Sequence, residues 1–175
     1  MQIKLPWISG PPKSPRIDLM KKLIALFVIV TGLGNVNMLQ GAELFNDQEL
    51  ALSFYGSYVD KHDSKVAPGA GVTYFFTRNL GVGAFTFWEN YDGTFFDNIS
   101  AEAYFRWPLD RLRLAPYGLA GIGYSFETEE HFGEVGVGAE FRLNERWGAF
   151  GDVRWQINGD TDNGVGVRFG VRFVF

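Results

Sequence analysis

Nine charged residues recur in the second half of the chain, spaced two, four or six positions apart within each stretch. All the charges of a stretch therefore share one side of an extended chain. The set consists of Glu102, Arg106, Glu134, Glu140, Arg142, Asp152, Arg154, Arg168 and Arg172. Carboxylates and guanidinium groups pair readily with one another, and an unpaired charge removed from water is costly. If their side is shielded from water, these residues must form an ionic network.

Catalytic chemistry has few candidates in this chain. The histidines, His62 and His131, have Ser64 and Ser125 nearby, but no recognisable Ser–His spacing is present. Cysteine is absent, which excludes disulfides and thiolate metal sites. Residues 160–164 (DTDNG) resemble part of a calcium loop, but the later glutamate is missing and a hairpin turn is the preferred interpretation. We predict no catalytic residue, no metal site and no cofactor.

The charge balance argues against nucleic acid as a partner. Residues 1–42 hold five bases and one acid, so residues 43–175 hold 11 of the 16 bases and 19 of the 20 acids. Binding to nucleic acid requires a basic patch, and an excess of eight acids opposes one. Many of these acids fall in four polar connections and are interpreted as solvated loop residues.

The N-terminal region has the layout of a secretory signal. Met20, Lys21 and Lys22 precede the apolar stretch 23–30, which is too short for a membrane-spanning helix. A buried core helix is the alternative interpretation. We predict a signal peptide over 20–42 with cleavage near Gly41 and Ala42. Residues 1–19, which contain four prolines, do not fit ahead of such a signal, and we interpret them as an extension upstream of a true start at Met20.

Beyond residue 48 the dominant period is two, which predicts β-strands. Eight segments follow this period: 49–59, 66–76, 80–89, 97–107, 113–126, 132–143, 146–157 and 164–175. Most have the roughly 9–11 residues of a tilted membrane-crossing strand. Short turns alternate with longer polar loops, as in outer-membrane barrels. An even strand count then places both ends of residues 43–175 on the short-turn side.

The alternation leaves open which face points outward, because a soluble lipocalin-like barrel would place the apolar face inside. Fifteen aromatic rings share the apolar face, more than a narrow eight-stranded interior can hold. Glycines share the charged face, where a lumen that admits arginines needs small neighbours. Rings also concentrate at both ends of the strands, as in the aromatic belts of membrane barrels. The predicted belts comprise Tyr58, Phe76, Trp88, Trp107, Phe126, Phe141, Trp147 and Trp155.

These features predict an all-β fold, an eight-stranded antiparallel up-and-down transmembrane β-barrel over residues 43–175. Residues 115–124 (APYGLAGIGY) and 167–175 (VRFGVRFVF) resemble the small outer-membrane β-barrels of Gram-negative bacteria, the OmpA-like and porin-family barrel domains. The resemblance implies export through the periplasm and a monomer surrounded by outer-membrane lipid, without the peptidoglycan-binding domain of some relatives. It also implies an assembly signal read by the barrel-insertion machinery, formed by Phe169, Val171, Phe173 and Phe175.

Within such a barrel the nine charged residues point inward and plug the lumen. The resulting functional prediction is a non-enzymatic outer-membrane protein with a structural or interaction role in the cell envelope. A narrow pore, in which the same ion pairs open and exchange partners, is the first alternative. A lipid-modifying outer-membrane enzyme is the second.

Overall fold

The structure, a computed structural model, describes residues 43–60, 66–88, 97–126, 129–158 and 163–175. The predicted extension 1–19, the signal peptide 20–42, His62 and Ser64 lie outside these ranges, as do most residues of the acidic connections. Within the described ranges, no helix is long and apolar enough to cross a membrane.

Eight antiparallel strands form one closed barrel in which each strand pairs with its neighbours in sequence. β8 closes the barrel by pairing with β1, with Ala51 opposite Val174 and Asp60 opposite Val165. The predicted fold class is therefore confirmed, and the predicted segments match the strands to within a few residues. The strands are β1 (Glu49–Asp60), β2 (Val66–Phe75), β3 (Leu80–Phe87), β4 (Asn98–Arg106), β5 (Leu114–Ser125), β6 (Glu130–Arg142), β7 (Trp147–Asn158) and β8 (Gly164–Val174).

Short turns join the strands at the end of the barrel where β1 begins and β8 ends, called the turn end below. In the β2–β3 turn, the Thr77 hydroxyl accepts hydrogen bonds from the backbone N–H groups of Asn79 and Leu80. The β6–β7 turn uses the Asn144 side chain in the same way. The β4–β5 connection is longer and contains a short 3₁₀ helix, Asp110–Leu112. These side-chain bonds replace strand pairing for the turn backbone.

The outer face of the barrel is apolar and the inner face carries the charges. Outward residues such as Ile122 and Val137 are 72% and 68% exposed, whereas the inward Arg106 is fully buried. This orientation is the reverse of a soluble barrel and follows from the alternation along each strand. The interior also holds an aromatic cluster that the sequence interpretation did not include. Its buried members are Tyr55, Phe75, Phe85, Tyr104, Tyr117, Leu119 and Phe150.

The inward glycines make room mainly for these rings rather than for arginines. A methyl group built on Gly71 would overlap the Phe85 ring, and one on Gly69 would overlap the Tyr55 ring. The expected reason, space for arginine, applies to Gly166, where the nearest atom to such a methyl group is an Arg154 carbon at 3.1 Å. A closed barrel of eight strands is narrow, so ring and backbone can share its interior only where the backbone carries no side chain.

Candidate functional site: the charged lumen

All nine charged residues singled out in the sequence are buried inside the barrel, and the structure adds Glu49 to them. Strand pairing accounts for this placement, because the nine residues occupy alternate positions that face inward on β4, β6, β7 or β8, and Glu49 occupies such a position on β1. Together the ten residues form two clusters at different heights in the lumen. The turn-end cluster comprises Glu49, Arg106, Glu140, Arg142 and Arg172. The mid-barrel cluster comprises Glu102, Glu134, Asp152, Arg154 and Arg168.

In the turn-end cluster two glutamates bridge three arginines. Glu49 Oε1 accepts a hydrogen bond from Arg106 Nη1 at 2.8 Å and another from Arg142 Nη2. Glu140 Oε1 lies 2.5 Å from Arg142 Nε, and Glu140 Oε2 accepts from Arg172 Nη1. The exposed fraction of these five side chains is 2% or less. Removal of Glu49 would leave Arg106 without a carboxylate, and removal of Glu140 would do the same to Arg172, while Arg142 would keep one of its two partners.

In the mid-barrel cluster two arginines bridge three acids. Arg168 donates to both carboxylate oxygens of Glu102, at 3.0 and 3.1 Å, and to Asp152 Oδ2 at 3.0 Å. Arg154 Nη1 donates to Glu102 Oε1 at 3.0 Å and to Glu134 Oε2 at 2.7 Å. Paired bonds from one guanidinium to one carboxylate fix the orientation of both groups. The mid-barrel cluster therefore crosses the lumen from β4 to β6, β7 and β8.

The two clusters carry opposite excess charges, and uncharged groups compensate for part of each excess. In the turn-end cluster, with three arginines and two acids, two Nε donors find neutral oxygens, whereas Arg142 Nη1 and Arg172 Nη2 have no hydrogen-bond partner among the described residues. Arg106 Nε donates to the Arg78 carbonyl at 2.7 Å, and Arg172 Nε donates to the Ser53 hydroxyl at 3.2 Å. Such neutral acceptors satisfy buried guanidinium donors without adding another charge to the lumen.

In the mid-barrel cluster, with three acids and two arginines, the surplus carboxylate oxygens find hydroxyl donors. Tyr117 donates to Asp152 Oδ2 at 2.8 Å, Ser100 donates to Glu102 Oε1 at 3.2 Å, and Tyr104 donates to Glu102 Oε2. The lumen as a whole balances five acids against five arginines within the two clusters. The exception among the carboxylate oxygens is Glu134 Oε1, which is buried without a hydrogen-bond partner among the described residues. The paired groups of such a network restrict one another and favour one arrangement of the strands.

Aromatic rings separate and shield the guanidinium groups. The Arg168 guanidinium carbon lies 4.3 Å from the centre of the Phe85 ring and 5.0 Å from that of Tyr55. The Arg106 guanidinium lies 3.5 Å from the centre of the Phe75 ring. Cation–π contacts of this kind are strongest where water is excluded. Rings and charges together therefore fill the lumen of the described barrel.

Residues 43–48 form a cap that closes the turn end of the lumen, a feature the sequence interpretation missed. Phe45 is fully buried, and its ring centre lies 5.1 Å from the Arg106 guanidinium and 4.8 Å from that of Arg142. The Leu44 N–H donates to Asp110 Oδ1 at 3.3 Å, which ties the cap to the β4–β5 turn. Gln48 has a positive φ of 56°, and this left-handed residue turns the chain from the cap into β1. The cap therefore covers the turn-end cluster on the side that faces away from the mid-barrel cluster.

The remaining predicted site residues lie on the outer face. Each predicted belt residue occupies an outward strand position or directly follows a strand, with Trp88 half-buried after β3. At the turn end the outward rings contact one another, with centres 4.3 Å apart for Phe105 and Trp107 and 4.9 Å apart for Trp147 and Phe173. The side chains of the predicted assembly signal, Phe169, Val171, Phe173 and Phe175, alternate along the outer face of the last strand and its end.

The described residues do not assemble a catalytic pair. His131 faces outward from β6 and stacks near the Tyr124 ring, with centres 5.0 Å apart. Ser125 has the opposite parity on β5 and lies across from Glu130 in the strand register. In the described part of the chain, no group of three or more acidic or histidine side chains has the arrangement of a metal site.

Comparison with known proteins places this fold among small outer-membrane barrels. The N-terminal β-barrel domain of OprF from Pseudomonas aeruginosa matches with a TM-score of 0.58 and 16% identity, covering 74% of this chain and 98% of that one. OprG, an outer-membrane protein of the same organism, matches with a TM-score of 0.50 and 10% identity, covering 74% and 97%. A de novo designed transmembrane β-barrel matches with a TM-score of 0.57 and 16% identity, covering 74% and 98%.

At these identities the likeness concerns the fold, which is the one that the sequence resemblance implied. No protein-family model and no curated protein matches the sequence. The role of the chain must therefore be argued from its own residues.

Proposed function

We propose that this chain is a non-enzymatic protein of the bacterial outer membrane, exported through the periplasm, with a structural or interaction role in the cell envelope. It acts as a monomer whose outer face contacts lipid and whose lumen is sealed. The observation that carries the proposal is the inverted polarity of the barrel. Ten charged residues are buried in a network of ion pairs inside the barrel, while the outward positions of the strands are predominantly apolar and exposed.

Such a surface is unfavourable in water and favourable in a bilayer. A soluble monomer rarely exposes a contiguous apolar patch larger than a few hundred Å². Here the outward residues of all eight strands are predominantly apolar, and aromatic rings border this band at the turn end. Outer-membrane barrels combine an apolar outer band, aromatic girdles and a polar interior in this way.

The narrow pore is the second candidate, and the polar lining of the lumen is what favours it. A conducting path would require the pairs of both clusters to separate, because the described lumen is filled by charged and aromatic side chains. The cap at Phe45 would also have to move. The enzyme alternative has less support, since His131 and Ser125 point to opposite faces of the barrel.

The first experiment expresses the full chain in a Gram-negative host and isolates the outer-membrane fraction. A membrane barrel is expected there, with a boiling-dependent shift in gel mobility and β-rich circular dichroism. Recovery as a soluble protein without a shift would overturn the proposal. Planar-bilayer recording then separates the two candidates, because a sealed lumen gives no channel events, whereas steady conductance would favour the pore.

We also propose that the terminal strand is the signal read by the barrel-insertion machinery. Phe175 is exposed on the outer face next to Phe173, with ring centres 5.0 Å apart. Phe175→Ala is expected to lower the fraction of folded barrel in the outer membrane. Phe54→Ala removes an equally outward ring from β1 and serves as the matched control. An equal loss in both variants would argue against a terminal signal.

A further inference from the structure

The β4–β5 and β6–β7 turns carry a surface patch that combines exposed leucines with arginines. The 3₁₀ helix between β4 and β5 buries none of its residues, and its Leu112 is 63% exposed. Leu109, just before it, is also exposed. Turns are usually polar, and two exposed leucines beyond the end of a strand gain nothing in water. They extend the apolar band of the outer face past the strands.

Arginines lie beside these leucines in sequence and on the neighbouring turn. Arg111 lies between them in sequence and is exposed, and Arg146 is exposed on the neighbouring β6–β7 turn. Arg113 Nη1 donates to the Leu143 carbonyl at 3.2 Å and so joins the two turns into one surface. We call this surface the basic foot. It comprises Trp107, Leu109, Arg111, Leu112, Arg113 and Arg146.

The acids nearby leave the basic foot with a positive excess. Asp110 points away from it, with Oδ2 at 2.5 Å from Arg78 Nη2 and Oδ1 accepting from the Leu44 N–H. Glu145, on the β6–β7 turn, opposes the three arginines with a single charge.

We propose that the basic foot binds the headgroups of anionic phospholipids in the leaflet at the turn end of the barrel. The leucines and Trp107 enter the interface, where amphipathic rings prefer to lie. The arginines extend their apolar stems along the acyl chains and present guanidinium groups to the phosphates. This inference rests on the proposed membrane location.

The test uses full-chain protein purified from host membranes and placed in nanodiscs with equal amounts of phosphatidylglycerol and phosphatidylcholine. Native mass spectrometry measures the ratio of the two lipids that stay bound. The basic foot carries three arginines against Glu145, a net of two positive charges, so the unmodified protein is expected to retain phosphatidylglycerol about 25-fold in excess. Each basic residue near an anionic surface contributes about fivefold to binding. The double variant Arg111→Gln, Arg146→Gln should therefore bring the ratio close to one.

The matched control is Lys61→Gln, Lys65→Gln, which removes the same charge from the connection between β1 and β2. It is expected to leave the lipid ratio unchanged. Equal loss in both double variants, or no preference in the unmodified protein, would overturn the inference. The boiling-dependent gel shift is measured on the same samples. If the protein inserts normally but shows no lipid preference, lipid binding by the basic foot is refuted and the proposed membrane location stands. If the protein fails to insert, the proposed membrane barrel itself is refuted.

Discussion

The substitution Glu49→Gln tests most directly whether the lumen network holds the barrel together. Glu49 is the carboxylate shared by Arg106 and Arg142, and both of these guanidinium groups are fully buried. Breaking a buried ion pair by removing one partner typically costs about 3–5 kcal/mol. The amide keeps one acceptor oxygen for the arginines, so we expect a loss of about 3 kcal/mol in the free energy of unfolding.

Urea titration of the barrel in phospholipid vesicles, followed by tryptophan fluorescence and the gel shift, measures this loss. Glu43→Gln is the control, because Glu43 pairs with Arg78 at 3.3 Å but is 67% exposed. Exposed pairs contribute about 0.2–1 kcal/mol. In the Glu49→Gln variant, the further change Arg106→Met should restore part of the stability, because Glu49 is the only carboxylate paired with Arg106 in the described network. If the Glu49→Gln variant unfolds at the same urea concentration as the Glu43→Gln control, the network does not carry this stability.

Three further substitutions follow from the described contacts. Phe45→Ala should lower the unfolding free energy by about 3–5 kcal/mol in the same titration, since it removes a fully buried ring and two cation–π contacts. Gly71→Ala should lower the yield of folded barrel because its methyl group meets the Phe85 ring, whereas Gly118→Ala, with its nearest atom at 3.9 Å, should not. Tyr117→Phe should cost about 1–3 kcal/mol, because it deletes the hydroxyl that donates to a buried carboxylate at 2.8 Å; no change would mean that another donor replaces it.

The sequence predicts the fold well because a two-residue period repeated eight times leaves few alternatives. The same parity identifies all nine inward charged residues that lie on β4, β6, β7 and β8. Glu49 has the same inward parity, but the sequence does not single it out, because it is the first residue of its segment and the other inward positions of that segment carry no charge. Its partners Arg106 and Arg142 are 57 and 93 residues away in sequence. Only strand closure brings these three together.

The cap and the inner aromatic rings could not be predicted from the sequence alternation, for two different physical reasons. Leu44 and Phe45 precede β1 as an isolated apolar pair without a period, and the left-handed Gln48 fixes where that pair lies. The rings of Tyr55 and Phe85 have inward parity on strands whose outer faces are also apolar. Alternation between apolar and polar residues therefore cannot reveal them. Their signal was the inward glycines opposite them, since a glycine-lined strand leaves space for a ring on its neighbour.

The arrangement of charges also explains how such a barrel selects one strand register. A slip of one residue moves every side chain of a strand to the opposite face. For β8 it would place Arg168 and Arg172 in lipid, at about 2–4 kcal/mol for each arginine near the bilayer centre. It would also leave their carboxylates unpaired in the lumen. The apolar pattern alone penalises a slip less, because Gly166 and Gly170 tolerate either face. The network therefore acts first as a determinant of the native pairing. Its groups are occupied in holding that pairing, so the proposed role in the envelope must depend on the outer face and the two ends of the barrel.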